Sequence, residues 1–88
     1  MLELKMSRDA DKFLSRIPEK HARQISQKIQ SLREFPVAHD SKMLKGTSFL
    51  RADSGEYRII YKFTDEFLFV PIIGKRNDDE VYKQLTRH

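Results

Sequence analysis

The chain contains no cysteine. That excludes thiolate zinc sites, a cysteine nucleophile and a disulfide framework. It also fits a reducing, cytoplasmic address, because small secreted domains usually carry disulfides to compensate for a thin core. Glycine is scarce, at three residues, too few for a loop that cradles a phosphate with backbone N–H groups. No apolar run approaches the ~20 residues that span a bilayer. The opening Met1-Leu2-Glu3-Leu4-Lys5 is charged and alternating, unlike a secretory signal. Internal repeats, low-complexity stretches, linkers and linear basic clusters are all missing. The three histidines, His21, His39 and His88, are scattered and offer neither metal-ligand spacing nor an acid–base pair. Each is expected on the solvated surface.

What is present is a chain of 88 residues, 39% hydrophobic, 34% charged and 10% aromatic. This composition is globular, and the length fits one domain over residues 1–88. So small a domain buries only about 60% of the surface that its unfolded chain exposes. There is no room for a separate cofactor domain or a large enclosed cavity, so chemistry belongs on an exposed face or groove. A net charge of +4 permits a polyanionic partner. Without a linear basic cluster, any anion site has to be assembled by folding.

Leu2, Leu4 and Met6 alternate with Glu3 and Lys5, which predicts a short half-buried strand. Ser7 is a good N-cap, with Asp9 and Asp11 placed near the positive end of the helix that follows. Ala10, Phe13, Leu14 and Ile17 form its apolar stripe. Pro18 ends that helix and opens a second, striped by Ala22, Ile25, Ile29 and Leu32 and running to about Phe35. Pro36 to Thr47 reads as a loop holding the basic pair Lys42 and Lys45. Three strands follow, at Ser48–Ala52, Glu56–Phe63 and Phe67–Ile73, separated by Asp53-Ser54-Gly55 and Thr64-Asp65-Glu66. Pro71 interrupts the last of them, so a bulge or local edge is expected there. Asn77 with Glu80 resembles a capping box before a short helix packed through Val81 and Leu85. The expected fold is α+β in two layers, β-α-α-β-β-β-α, with a small, mainly antiparallel sheet against a helical hairpin.

A hairpin centred on Ser54-Gly55 would place Arg51 directly opposite Arg58, and like charges so placed destabilise the pair. Either Asp53 and Glu56 screen them, or the two guanidinium groups build an anion site. Strand parity puts Tyr57, Ile59, Tyr61 and Phe63 on the helix side and Arg58, Ile60 and Lys62 on the other. A second hairpin closed by Asp65-Glu66 sets Arg58 opposite Ile73, with Lys75 and Arg76 just beyond. Arg51, Arg58 and Arg76 would then converge on one open face, and arginine forks match phosphate oxygens. Tyr82, at the edge of the last helix's buried stripe, reads either as an amphipathic packing residue or as a ring at the rim of that face.

Leu44-Lys45-Gly46, Tyr57-Arg58-Ile59-Ile60-Tyr61 and Gly74-Lys75-Arg76-Asn77-Asp78-Asp79-Glu80-Val81-Tyr82 resemble the RelE/ParE toxin superfamily. With the preceding strand and helices, the resemblance covers nearly the whole chain. The Tyr-Arg-Ile-Ile-Tyr segment is shared broadly. The Gly-Lys-Arg and Val-Tyr segment resembles the RelE branch, whose members cut mRNA in the ribosomal A site. The resemblance implies the toxin of a type II toxin–antitoxin pair, a ribosome-dependent, metal-independent endoribonuclease without a small-molecule cofactor. Its partners would be a cognate antitoxin, the ribosome and mRNA. By position, Arg58 matches the arginine that stabilises the transition state and Arg76 the one that helps the leaving oxygen. Tyr82 matches the tyrosine near the cleaved nucleotide, and Arg51 a basic residue, usually lysine, at the 2′-hydroxyl. Lys42, Lys45, Lys62 and Lys75 are the candidate RNA-binding cations. Phe49 stands where the family often has a second lysine, which leaves the general base open among Arg51, Lys45 and Lys62. The alternatives are a ParE-like gyrase inhibitor, or a non-toxic homologue that binds only an antitoxin and DNA.

Overall fold

The computed structural model of the chain describes residues 1–77. Its elements are β1 (Glu3–Met6), α1 (Arg8–Arg16), α2 (Glu19–Glu34), β2 (Lys42–Met43), β3 (Leu50–Ser54), β4 (Tyr57–Phe63) and β5 (Phe67–Lys75). The five strands form one sheet in the order β1-β5-β4-β3-β2. Only the β1–β5 pair is parallel; the other three pairs are antiparallel. The α+β class and the two-layer plan are as the sequence predicts. One correction concerns the segment read as a loop from Pro36 to Thr47. Lys42–Met43 adds an edge strand there, with Lys42 opposite Arg51 and Met43 opposite Leu50. The helix expected after Asn77, with Val81, Leu85 and Tyr82, lies outside the described residues.

Local signals explain why the chain turns where it does. The Ser7 hydroxyl oxygen accepts a hydrogen bond from the Ala10 N–H at 3.0 Å, capping α1. The same hydroxyl donates to the Pro71 carbonyl on β5, and the Ser7 N–H donates to the Val70 carbonyl at 3.1 Å. Pro71 therefore sits where the expected bulge is found. Ile60 pairs with Ile72, but Lys62 pairs with Phe69, so one extra residue is accommodated in β5. Proline has no N–H for the ladder, and Ser7 bonds the carbonyls of Val70 and Pro71 at the bulge.

The helices cover one sheet face. Ala10, Ile25, Ile29 and Leu32 pack against Ile59, Tyr61, Leu68, Val70 and Ile73 in one buried cluster. Each fully buried aliphatic side chain of this size contributes roughly 1.5–3 kcal/mol. Tyr61 is completely buried, and its hydroxyl donates to the Pro36 carbonyl at 2.6 Å. Burial pushes that hydroxyl's pKa above its ordinary value, so it stays protonated as a donor. This bond pins the start of the segment leading to β2.

A second tie holds the same segment. The Lys28 ammonium on α2 bonds the Asp40 carboxylate at 2.9 Å, and this bond is the main reason that the Asp40 carboxyl titrates below its ordinary value. A lowered carboxyl pKa favours folding above the unfolded value and is lost as pH falls through the folded one. Solvent screening keeps so exposed a pair under about 1 kcal/mol. Asp40→Asn should therefore lower the melting temperature by a few degrees at pH 7, with the difference from the parent shrinking below about pH 4. Thermal melts of both proteins from pH 7 to pH 3 check this.

Candidate functional site

The β3–β4 hairpin sets the site. Gly55 has φ +60°, and among the described residues no other residue type has positive φ. Positive φ at the first central position alone is the pattern of a type II′ hairpin turn, which takes glycine there. The two-residue turn is therefore Gly55-Glu56, with Ser54 opposite Tyr57 and Asp53 opposite Arg58. This corrects the expected Ser54-Gly55 centre. Moving the centre by one residue shifts each partner by two, so every side chain keeps its expected face. The predicted Arg51–Arg58 opposition is gone; Arg51 faces Ile60 instead. In its place stands an opposed pair of unlike charge.

The bulge in β5 makes a second change. It sets Arg58 opposite Gly74 instead of Ile73. Gly74 adds no side chain beside Arg58, and Arg76 follows two residues on. The Arg76 N–H donates to the Glu56 carbonyl at 2.9 Å, which holds the end of β5 against the turn. Arg58 and Arg76 then meet on one carboxylate. Arg58 Nε lies 3.0 Å from Asp53 Oδ1, and Arg76 Nε lies 3.6 Å from Asp53 Oδ2. The Arg58 side chain is 12% exposed and that of Arg76 51% exposed. Arg51 shares the face, diagonal to Arg58 across the ladder. Two guanidinium groups around one carboxylate leave a net positive charge, and an open cavity of ≈ 380 Å³ beside Arg76 is lined also by Glu56, Lys75 and Asn77.

The remaining candidates divide. Lys42 stands opposite Arg51 and so shares its face. Lys62 also lies on this face, its ammonium 5.1 Å from the Phe49 ring centre and 5.8 Å from that of Phe69. Lys45 is exposed in the turn between β2 and β3. Lys75 pairs with Tyr57, which belongs to the helix-side cluster, so its register assigns it to the face away from Arg58. Tyr82 lies outside the described residues. Among the described residues no three His, Asp or Glu side chains group as metal ligands.

Three features escaped the sequence reading. Asp53 appeared there only as a screen, whereas it joins two arginines from different strands. The face was expected to be open, but Ile60 and Ile72 are buried on it under Leu44 and Phe49. That cover comes from the turn after β2, which periodicity does not reveal. His21, expected at the solvated surface, is half-buried, and its Nδ1 lies 2.7 Å from the Tyr57 hydroxyl. The available signal for the first of these was glycine's preference for the leading position of a type II′ turn.

The architecture is that of solved toxin structures. A chain of the archaeal RelE–RelB complex from Pyrococcus horikoshii matches with a TM-score of 0.74 and 26% identity, over 86% of this chain and 96% of its own. An Escherichia coli RelE toxin variant in the free state matches with a TM-score of 0.81 and 22% identity, over 96% of this chain and 93% of its own. A chain of the toxin–antitoxin complex RelBE2 from Mycobacterium tuberculosis gives 0.75 and 18%, over 85% and 98%. No protein-family model matches the chain, and no curated protein does. The chain has a RelE-like toxin fold.

The turn is the point at which this site is most easily disturbed. A Cβ added at Gly55 meets only the flexible end of Gln24, at 3.9 Å, so space is not the obstacle. The positive φ is. Gly55→Ala should destabilise the domain by about 1–2 kcal/mol, whereas Gly55→Asn should cost less because asparagine tolerates that region better. Urea unfolding of the two variants beside the parent measures this order.

Proposed function

We propose that this chain is the toxin of a type II toxin–antitoxin pair and acts as a ribosome-dependent endoribonuclease on translated mRNA. The observation that carries the reading is the meeting of Arg58 and Arg76 on one sheet face, in a fold whose solved examples include RelE toxins and their RelB complexes. The cleavage needs no metal. The 2′-hydroxyl oxygen of one nucleotide attacks the adjacent phosphorus, and its proton passes to a base. The P–O5′ bond breaks, and O5′ takes a proton. The products are a 2′,3′-cyclic phosphate end and a 5′-hydroxyl end.

Such a step demands in-line placement and compensation of negative charge on the phosphoryl oxygens more than it demands a strong base. In this reading, Arg58, held by its strand and largely shielded from water, stabilises the charge on the pentacoordinate phosphorus. Arg76, at the rim of the same face, assists the departing O5′. Arg51 lies beside the attacking 2′-hydroxyl, with Tyr82 near the cleaved nucleotide. An arginine is a poor proton acceptor, so Arg51 supplies charge; Lys45 or Lys62 serves as the base, or the ribosome contributes the positioning that replaces one. Lys42, Lys62 and the neighbouring aromatic rings make a surface on which cations meet phosphates and rings meet bases. Lys75 binds from the strand-end cavity. The ribosome holds the message, so the toxin itself needs no deep pocket. A cognate antitoxin restrains the toxin in a cytoplasmic setting by covering or distorting this face.

Primer extension on a translated message, with purified ribosomes and the purified protein, tests this. Discrete A-site cleavages are expected, and Arg58→Ala or Arg76→Ala should each lower the rate by about 10²–10³-fold. An intact message at saturating protein, together with inhibited gyrase supercoiling, would replace this reading with that of a gyrase inhibitor.

A further inference from the structure

We propose that Asp53 is the positioning residue of this site. One carboxylate, presented by β3, accepts a hydrogen bond from Nε of Arg58 on β4 and draws in Arg76 at the end of β5 as an ion pair, and so sets the direction from which the two guanidinium groups meet a phosphate. The kinetic part rests on the nuclease reading above; the geometric part does not.

Arg58 is anchored by a central strand and is largely shielded. Arg76 is at a strand end with half its side chain exposed. Its Nη1 reaches the Gly55 carbonyl only at 3.5 Å, a weak contact. An unrestrained arginine samples many rotamers, and two like charges on adjacent strands repel. Asp53 offsets both effects at once, with one oxygen turned to each partner: Oδ1 at 3.0 Å from Arg58 Nε and Oδ2 at 3.6 Å from Arg76 Nε. The hydrogen bond at Arg58 Nε ties one edge of that planar fork, and the ion pair draws the Arg76 guanidinium toward the same point.

The same carboxylate works against substrate attraction. A site optimised only to attract a polyanion would not carry a negative charge between its two arginines. Asp53 therefore gives up some ground-state affinity and supplies alignment, and alignment is what the chemical step rewards. Removing it should separate the two quantities. Asp53→Asn raises the local charge by one unit, so RNA should bind no more weakly, with a somewhat steeper salt dependence. Turnover should fall, because a displacement of about 1 Å in a reacting constellation can cost ~10²-fold.

The test compares the parent chain, Asp53→Asn and Asp53→Glu in ribosome-dependent cleavage, together with side-chain NMR of protein labelled with ¹⁵N-arginine. Asp53→Asn is expected to lower kcat about 10–100-fold without raising KM, and Asp53→Glu, which keeps the carboxylate, to lie closer to the parent. In the NMR arm, the Nε–H signals of Arg58 and Arg76 should both shift in Asp53→Asn, and the Arg58 signal should lose its protection from exchange with water. An unchanged or faster kcat in Asp53→Asn, or a raised KM at unchanged kcat, overturns the proposal. If the parent chain cuts no message, the nuclease reading fails and the NMR arm still decides: both Nε–H signals unmoved by Asp53→Asn overturns the positioning role on its own.

Discussion

The register of β3 against β4 is the constraint on which the rest of this structure depends. It is fixed by a two-residue turn in which Gly55 adopts φ +60° and Ser54 closes on Tyr57. That closure puts Asp53 opposite Arg58 and Ala52 opposite Ile59. One side of the hairpin then delivers apolar side chains to the helices, and the other delivers an aspartate and two arginines to the opposite face. A slip of one residue would exchange the two sides, burying charge and exposing the core at once. The buried face therefore enforces which residues share the charged face.

A short chain gains from this economy. One sheet serves two purposes because its faces are independent in sequence, alternate positions of each strand pointing to opposite faces. The helix-side cluster supplies most of the apolar burial. The smaller cluster of Ile60 and Ile72 under Leu44 and Phe49 supports the opposite face from within. Arg51 and Arg58 thus rise from strands packed on both sides, a more precise platform than a loop. The bulge at Pro71 contributes by bringing Gly74, with no side chain, beside Arg58 and letting Arg76 follow onto the same face.

Much of this was legible in the sequence. The Ser7 cap, both helices, the sheet-face parity and the irregularity at Pro71 follow from short-range patterns that the structure reproduces. What was not legible depends on distant partners. The two-residue strand at Lys42–Met43 has no periodicity of its own and exists because β3 offers it an edge. The centre of the Gly55 turn depends on a backbone angle, and Ser54-Gly55 and Gly55-Glu56 both look acceptable until that angle is considered. Asp53 seemed a local screen because the second arginine it holds is 23 residues away in sequence and is brought near by the β4–β5 register and its bulge. His21 was assigned to the surface from its helical position, yet Tyr57 presents a hydroxyl beneath it. The family resemblance pointed to Arg58 and Arg76; the structure adds the carboxylate between them.

In the function proposed here, two arginines gathered at one carboxylate promote attack of a 2′-hydroxyl on the adjacent phosphodiester. The nature of the RNA ends tests it most directly. Fragments from a ribosome-bound message treated with the purified protein can be read by mass spectrometry. Attack by the 2′-hydroxyl should leave a 2′,3′-cyclic phosphate on the upstream fragment and a 5′-hydroxyl on the downstream one. A 3′-hydroxyl paired with a 5′-phosphate would mean that water attacked instead, and would contradict it.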